Sequence, residues 1–313
     1  MRYPKLTIIG GLLVLAIASS TDGSVDGNAG TSSFSFLKIG IGARPMAMGG
    51  AFVALSEDVT GSFWNPAGLA LLRTRQGTSG YLNYVVGVKC GYLAYAQPFD
   101  KMSTIGLTLQ YLSVGSMAEM DASGKKIRDF SPSDLAVNIS YAYILQEDIF
   151  LGGNLKYLQE SISKYKASGL AIDLGAIYET NFKGVTVGAC LQNLGKKTKA
   201  FVTEKEKLPT GISVGVGYRP KATKVALAMD IVKPMDNKFN LRLGGEYQIN
   251  EFIAIRGGYD SRGSDLKTGS DIDDFAGLSC GFGLKWKKYT FDYAFAPYAE
   301  LGNTHWISLS ARF

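Results

Sequence analysis

Residues 224–231 read Lys224-Val225-Ala226-Leu227-Ala228-Met229-Asp230-Ile231. Val225, Leu227, Met229 and Ile231 recur at every second position, with Ala226, Ala228 and Asp230 between them. A period of two marks an extended strand whose side chains point alternately to two faces. The pattern continues along the chain. In residues 240–249, Leu241, Leu243, Tyr247 and Ile249 oppose Arg242, Gly244, Glu246 and Gln248. In residues 304–313, His305, Ile307, Leu309, Ala311 and Phe313 oppose Trp306, Ser308, Ser310 and Arg312. Fourteen such strands are predicted in residues 77–313: near 78–84, 86–96, 103–115, 133–144, 149–163, 168–180, 184–194, 209–219, 222–232, 238–249, 252–260, 276–286, 288–298 and 304–313. That leaves about 17 residues for each strand and its connection, and a membrane-crossing strand takes ~9–11 of them.

Alternation does not say which face is outside. Three features place the apolar face outward. Short connections, near 99–101, 146–148, 181–184, 219–221, 249–251 and 286–288, alternate with longer ones, notably 116–132, 195–208 and 261–275. Outer-membrane barrels have short periplasmic turns and longer outer loops. The apolar face carries Tyr143, Tyr178, Tyr218, Tyr247, Trp286, Tyr289 and Phe313 beside the short turns, where an amphipathic ring suits a membrane interface. The other face carries Lys156, Asp173, Glu179, Asp230, Arg242, Glu246, Arg256, Lys285, Asp292 and Arg312. Each Lys or Arg facing lipid at the midplane would cost roughly 2–4 kcal/mol, so this face is expected to line a lumen. Lipid also offers no partner for an open sheet edge, so the sheet must close. The expected fold is all-β: a 14-stranded antiparallel transmembrane β-barrel with a short N-terminal α-containing plug. Most lumen charges are expected to pair with one another, and their mixed signs argue against a strongly charge-selective pore.

Composition agrees. Hydrophobic residues make up 46% and charged residues 19% of the 313, which is too apolar for a disordered chain. The one long apolar run, residues 7–18, is too short for a transmembrane helix. Met1-Arg2-Tyr3-Pro4-Lys5, that run and Ala16-Ile17-Ala18 read as a signal peptide over residues 1–20. Loss of Arg2 and Lys5 would take the formal charge from +6 to +4. Residues 21–33, rich in Gly, Ser, Asp and Asn, read as a flexible leader. The destination is the bacterial outer membrane, with its lipid as a partner.

Enzymatic chemistry is poorly supported. There is one histidine, His305, expected on the apolar face near an outer strand end. Cys90, Cys190 and Cys280 are sparse and odd in number, so neither a disulfide framework nor a metal site is expected. No Gly-x-Ser-x-Gly or phosphate-binding glycine loop occurs. No catalytic residue, cofactor or metal is assigned, and the chain is read as non-enzymatic. Asp271, Asp273 and Asp274 lack an EF-hand frame and read as a solvated acidic loop. The pI near 9.0 comes from scattered basic residues, so no nucleic-acid partner is expected.

Residues 34–76 break the alternation. Residues 45–55 are predicted to form a short helix loosened by Gly49 and Gly50. Asn65-Pro66 is a good helix start, with Asn as N-cap and Pro at the first position. The segment fits either a plug in the lumen or a periplasmic subdomain packed beneath the barrel. Phe34, Phe36, Phe52, Phe63 and Trp64 are candidates for an apolar ligand pocket or for packing the plug.

Gly42-Ala43-Arg44-Pro45-Met46-Ala47-Met48-Gly49-Gly50-Ala51-Phe52, followed by Asn65-Pro66-Ala67-Gly68-Leu69, resembles the FadL-type outer-membrane proteins, and most closely their shorter PorV/PorQ branch. The resemblance implies a fourteen-stranded barrel with an N-terminal hatch to which Asn65, Pro66, Ala67 and Gly68 belong. FadL-type transporters pass small hydrophobic molecules through the barrel wall, which implies passive transport or binding of a small hydrophobic ligand. PorV-like members serve type IX secretion, which implies instead docking or shuttling of secreted proteins, with secretion-system proteins as partners. The outer loops over 117–133 and 261–275 would carry that second role.

Overall fold

The computed structural model describes residues 27, 30–201, 206–266, 275–298 and 302–313. The expected signal peptide, most of the leader and the loop with Asp271, Asp273 and Asp274 lie outside the described residues. The strands are β1 (Gln76–Asn83), β2 (Lys89–Pro98), β3 (Ser103–Ser113), β4 (Met117–Met120), β5 (Lys126–Phe130), β6 (Ser133–Gln146), β7 (Ile149–Ile162), β8 (Tyr165–Glu179), β9 (Val185–Lys199), β10 (Gly211–Tyr218), β11 (Val225–Pro234), β12 (Asn240–Gln248), β13 (Ile253–Asp260), β14 (Leu278–Trp286), β15 (Tyr289–Pro297) and β16 (Asn303–Arg312). All but β4 and β5 form one closed antiparallel barrel of fourteen strands, sealed by β1 against β16 from Gln76↔Arg312 to Asn83↔His305. Closure leaves the barrel no edge strand, as a hydrocarbon environment requires.

The apolar face points outward. Leu93, Leu107, Ile139, Leu155, Leu174, Leu227 and Leu309 are exposed, while their strand neighbours are buried or half-buried. Tyr143, Tyr178, Tyr218, Tyr247, Trp286, Tyr289 and Phe313 are exposed on the same outer surface beside the short turns. We call this the turn end and the opposite rim the loop end. His305 lies on the outer face, half-buried, with its Nδ1 2.8 Å from the Tyr293 hydroxyl.

Two loop-end features depart from the sequence reading. The 116–132 connection holds the two-stranded sheet β4–β5. Strand β9 continues to Lys199, so much of the expected 195–208 loop is strand, and β9 stands seven residues taller than β10, which begins opposite Gln192. The cause is a β-bulge: Asn193 adopts φ 57°, its N–H donates to Asp173 Oδ1 at 2.7 Å, and the β8–β9 register shifts there. A bulge inserts one unpaired residue. It moves Leu191 and Leu194 onto one face at a spacing of three and masks the alternation.

Residues 32–72 contact inward-facing groups on strands around the ring and Asp236 in the β11–β12 connection. Ser32 bonds Asp236, Phe34 N bonds Glu160, Ala43 N bonds Ser308, Gly49 N bonds Ser279, and Phe52 N bonds Asp230. These contacts tie the segment to inward-facing groups at both ends of the barrel. The helix predicted over 45–55 is shorter, Ala43–Ala47. Gly49 (φ 64°) and Gly50 (φ 74°) turn the chain out of it, a conformation glycine adopts at little cost. Asn65 caps a 3-10 helix, Pro66–Leu71, and its Oδ1 accepts from Ala67 N.

Candidate functional site

The descent of the segment divides the lumen. Near the loop end is a vestibule of about 570 Å³, lined by Phe36, Ile39, Met46, Tyr84, Val88, Leu112 and Tyr298 among others. Below it is a small polar cavity of about 140 Å³ that shares Met46, Asp260 and Arg262 with the vestibule. At the turn end is a third cavity of about 480 Å³, whose lining residues include none of those of the other two. The Ala43–Ala47 helix stands between them, turning Met46 to the vestibule and Ala43 and Arg44 to the turn end.

Vestibule walls come from distant loops. Tyr84 follows β1 and Tyr298 follows β15, and closure of β1 on β16 brings their rings to 5.6 Å in an edge arrangement. Burial raises both phenol pKa values, so both are neutral hydrogen-bonding groups on an apolar wall. On the floor, Asp260 accepts from Arg262 Nη2 at 2.6 Å and lies 3.3 Å from Arg242 Nε. Two guanidiniums share one carboxylate there. At the rim, Asp236 accepts from Lys38 and from Ser32 Oγ. Burial alone would raise its carboxyl pKa, but these bonds hold it below its ordinary value.

At the turn end Arg44 is the hub. Its Nε and Nη2 donate to Glu246 at 3.0 and 3.1 Å, Nη1 to Asp58 at 2.8 Å and Nη2 to Glu57 at 3.2 Å. Glu246 also accepts from Arg256 at 2.7 Å, and Arg256 from its other side reaches Asp292 at 2.7 Å. Arg219 pairs with Glu57 and Glu246. Burial works against the Arg44 charge, yet Glu246 and Asp58 together raise its pKa above the ordinary value.

The candidate residues fall into distinct places. Phe36 lines the vestibule, and Phe63 and Trp64 line the small cavity. Phe34 and Phe52 are fully buried packing groups: Phe34 sits against Gly169, and Phe52 meets Trp64 edge-on at 6.4 Å beneath the Arg44 guanidinium. Asn65 is fully buried, its Nδ2 donating to Val53 O at 2.9 Å and Ala176 O at 3.1 Å. Pro66 and Ala67 lie on Gly152, where a Cβ would overlap their backbone, and Gly68 lies equally tight on the Ser56 carbonyl.

The expected pairing of lumen charges with one another is only partly what is found. Lys156 pairs with Asp173 at 2.7 Å, and Arg256 with both Asp292 and Glu246. Asp230 instead accepts from Phe52 N and Val53 N at 2.7 and 2.9 Å, and Glu246 clamps Arg44. These two hold the segment. Arg242 turns to Asp260, Lys285 and Arg312 line the turn-end cavity, and Glu179 is exposed at the turn-end rim. Sequence reasoning left Arg44, Glu57 and Asp58 without a role and missed Tyr84, Tyr298 and Arg219. The first three lie in the segment that breaks the alternation, which was the available signal.

Asn65→Ala is expected to destabilise the segment by about 1–3 kcal/mol, because buried carbonyls lose their donor. The check is limited proteolysis within residues 39–72 in detergent, compared with Asn65→Asp.

Known proteins agree with this architecture. The TodX deltaS2S3 mutant monoaromatic hydrocarbon channel superposes with a TM-score of 0.64 at 13% identity, over 88% of this chain and 99% of that one. The Pseudomonas putida toluene transporter TodX gives 0.59 at 12%, over 87% and 96%. A Pseudomonas aeruginosa FadL homologue gives 0.53 at 14%, over 85% and 96%. At such identities the likeness shows the fold. A search of curated proteins finds no significant match. A sequence profile described as type IX secretion system protein PorV matches residues 23–236, more than half of the chain. An outer-membrane-type barrel of fourteen strands, filled from its N-terminal side and matched over this span, belongs to the PorV family.

Proposed function

We propose that this barrel is a surface-facing docking protein of type IX secretion that binds at its outer mouth and does not conduct. In the usual orientation the loop end faces the exterior and the turn end the periplasm. The observation that carries the reading is the partition of the lumen: an apolar vestibule at the loop end, separated from the turn-end cavity by the Ala43–Ala47 helix. A mouth closed from below binds, and an apolar pocket with aromatic walls fits the anchor side chain of a secreted protein. The 34–76 segment is the plug of this reading, and residues 77–313 the barrel.

A second reading rests on the same apolar lining: passive binding or transport of a small hydrophobic molecule, as in the fold relative described as a toluene transporter. Val88→Trp, which fills the vestibule from the β1–β2 loop, separates the two. Docking predicts that surface display of type IX substrates falls by about tenfold, equivalent to about 1.4 kcal/mol of binding, with toluene uptake unchanged. Unchanged display with lost toluene uptake supports the second reading and refutes the first.

A further inference from the structure

Charge is unevenly divided around the turn end. Lys224, Lys285 and Arg312 line the turn-end cavity from the inner side of the wall. Arg73, Arg75, Lys221, Lys287 and Lys288 stand on the adjoining connections. All eight are exposed, and they lie on one arc running from the start of β1 through β16, β15 and β14 to the β10–β11 turn. No ion pair is formed by any of them among the described residues; Lys224 donates to the Ile249 carbonyl at 2.8 Å. The acids here are Glu251, which is exposed, and the partly exposed Glu57, already paired with Arg44 and Arg219. Nearby Asp58, Glu246 and Asp292 are already paired with Arg44 and Arg256. The opposite turns, β2–β3, β6–β7 and β8–β9, carry Asp100, Glu147, Asp148 and Glu179 against Lys101 and Lys183.

Neighbouring exposed like charges such as Lys287 and Lys288 repel over the Debye length of ~8 Å, so such an arc favours a counter-charge. Two sources of counter-charge exist, lipid phosphates and an acidic protein. Lys287 and Lys288 lie over the rings of Trp286, Tyr289 and Phe313 on the outer face, where lipid headgroups reach. Lys285 and Arg312 alternate with outward Leu284 and Phe313, so their side chains are on the lumen side with the wall between them and lipid. A ligand reaches them only through the mouth of the barrel.

We propose that the turn-end mouth docks an acidic segment of a periplasmic protein, which places carboxylates against Lys224, Lys285 and Arg312 while its flanks lie on the basic arc. Electrostatic complementarity of this kind sets partner choice and speeds association, and it weakens with salt. This surface is independent of the vestibule, and the test does not depend on the docking role assigned there.

The probe is a fluorescent oligoglutamate peptide, titrated into the protein in phosphatidylcholine nanodiscs and read by anisotropy. Lys285→Glu/Arg312→Glu is expected to weaken binding by at least about tenfold, and the neutral pair Lys285→Gln/Arg312→Gln by less. Lys166→Glu/Lys196→Glu at the loop end should leave it unchanged. Equal binding by the wild type and both turn-end variants overturns the proposal. So does a mouth claimed by lipid: peptide displaced when phosphatidylglycerol is added to the nanodisc, with phosphatidylglycerol retention lost in Lys285→Glu/Arg312→Glu. Native electrophoretic mobility of the folded barrel confirms that each variant is assembled.

Discussion

Arg44→Ala is expected to free the 39–58 stretch from the lumen wall. Arg44 is largely buried and donates to Glu246 through two nitrogens and to Asp58 through a third. Its removal leaves Asp58 without a cation, and Glu246 with Arg256 and the longer contact to Arg219. Breaking a buried pair from one side strands a desolvated charge, at a cost of about 3–5 kcal/mol. Arg44→Lys should recover only part of this, because an ammonium cannot span both Glu246 oxygens and Asp58 in the planar geometry of a guanidinium. Two of the three tryptophans report the outcome. Trp64 Nε1 donates to Ile41 O at 2.9 Å and Trp306 Nε1 to Gly40 O at 3.1 Å, both buried, whereas Trp286 is exposed on the outer rim. The variant's emission should shift to the red, and in planar bilayers it should show current steps absent from the wild type. Emission and current identical to wild type, in a variant that migrates as a folded barrel, would sink the claim that Arg44 pins the segment.

Four glycines on β12 and β13 provide the second test. Gly244 pairs with Gly258 and Gly245 with Gly257, so adjacent positions on the same strands face opposite sides of the wall. Inside, a Cβ on Gly258 would overlap the backbone of Met48 and Gly49, and one on Gly244 would sit 2.6 Å from Met48 O. A Cβ on Gly49 would in turn meet Tyr259 N at 2.6 Å and Leu243 O at 2.8 Å. Backbone interlocks with backbone, and no side chain is there to rotate away. Outside, a Cβ on Gly245 would find its nearest neighbour at 3.6 Å and one on Gly257 at 3.9 Å. Gly258→Ala should therefore destabilise by about 1–3 kcal/mol or displace the 48–50 turn, as overpacking does. Gly245→Ala and Gly257→Ala should stay within about 0.5 kcal/mol. Heat-induced mobility shifts in gels, or urea titration of tryptophan emission, measure the contrast. Equal effects at Gly258 and Gly257 would mean that the segment does not rest on this wall.

Much of the barrel is legible in the amino-acid order. Lipid on one side and a filled lumen on the other impose a different chemistry on every second residue, as in Val225, Leu227 and Met229 against Asp230. Each strand therefore announces itself locally. The aromatic rim does so for the same reason, since Tyr218, Tyr247 and Trp286 sit where chain direction reverses. The signal weakens where backbone geometry changes its period. The bulge at Asn193 hides the upper part of β9, and the positive φ of Gly49 and Gly50 ends a helix expected to continue to Leu55.

What the order of residues determined by itself was the number, direction and facing of the strands that close the barrel. The tertiary structure alone decided what the lumen does with its charges. Arg44 and Glu246 are 202 positions apart, Asp230 and Phe52 are 178 apart, and nothing local links them. The vestibule likewise exists only because β1 closes on β16 and carries Tyr84 to Tyr298. Strand facing follows from the solvent that each residue meets, which is a local property. Ion-pair partners and cavity walls follow from barrel closure and the path of the segment inside it, which no stretch of sequence contains.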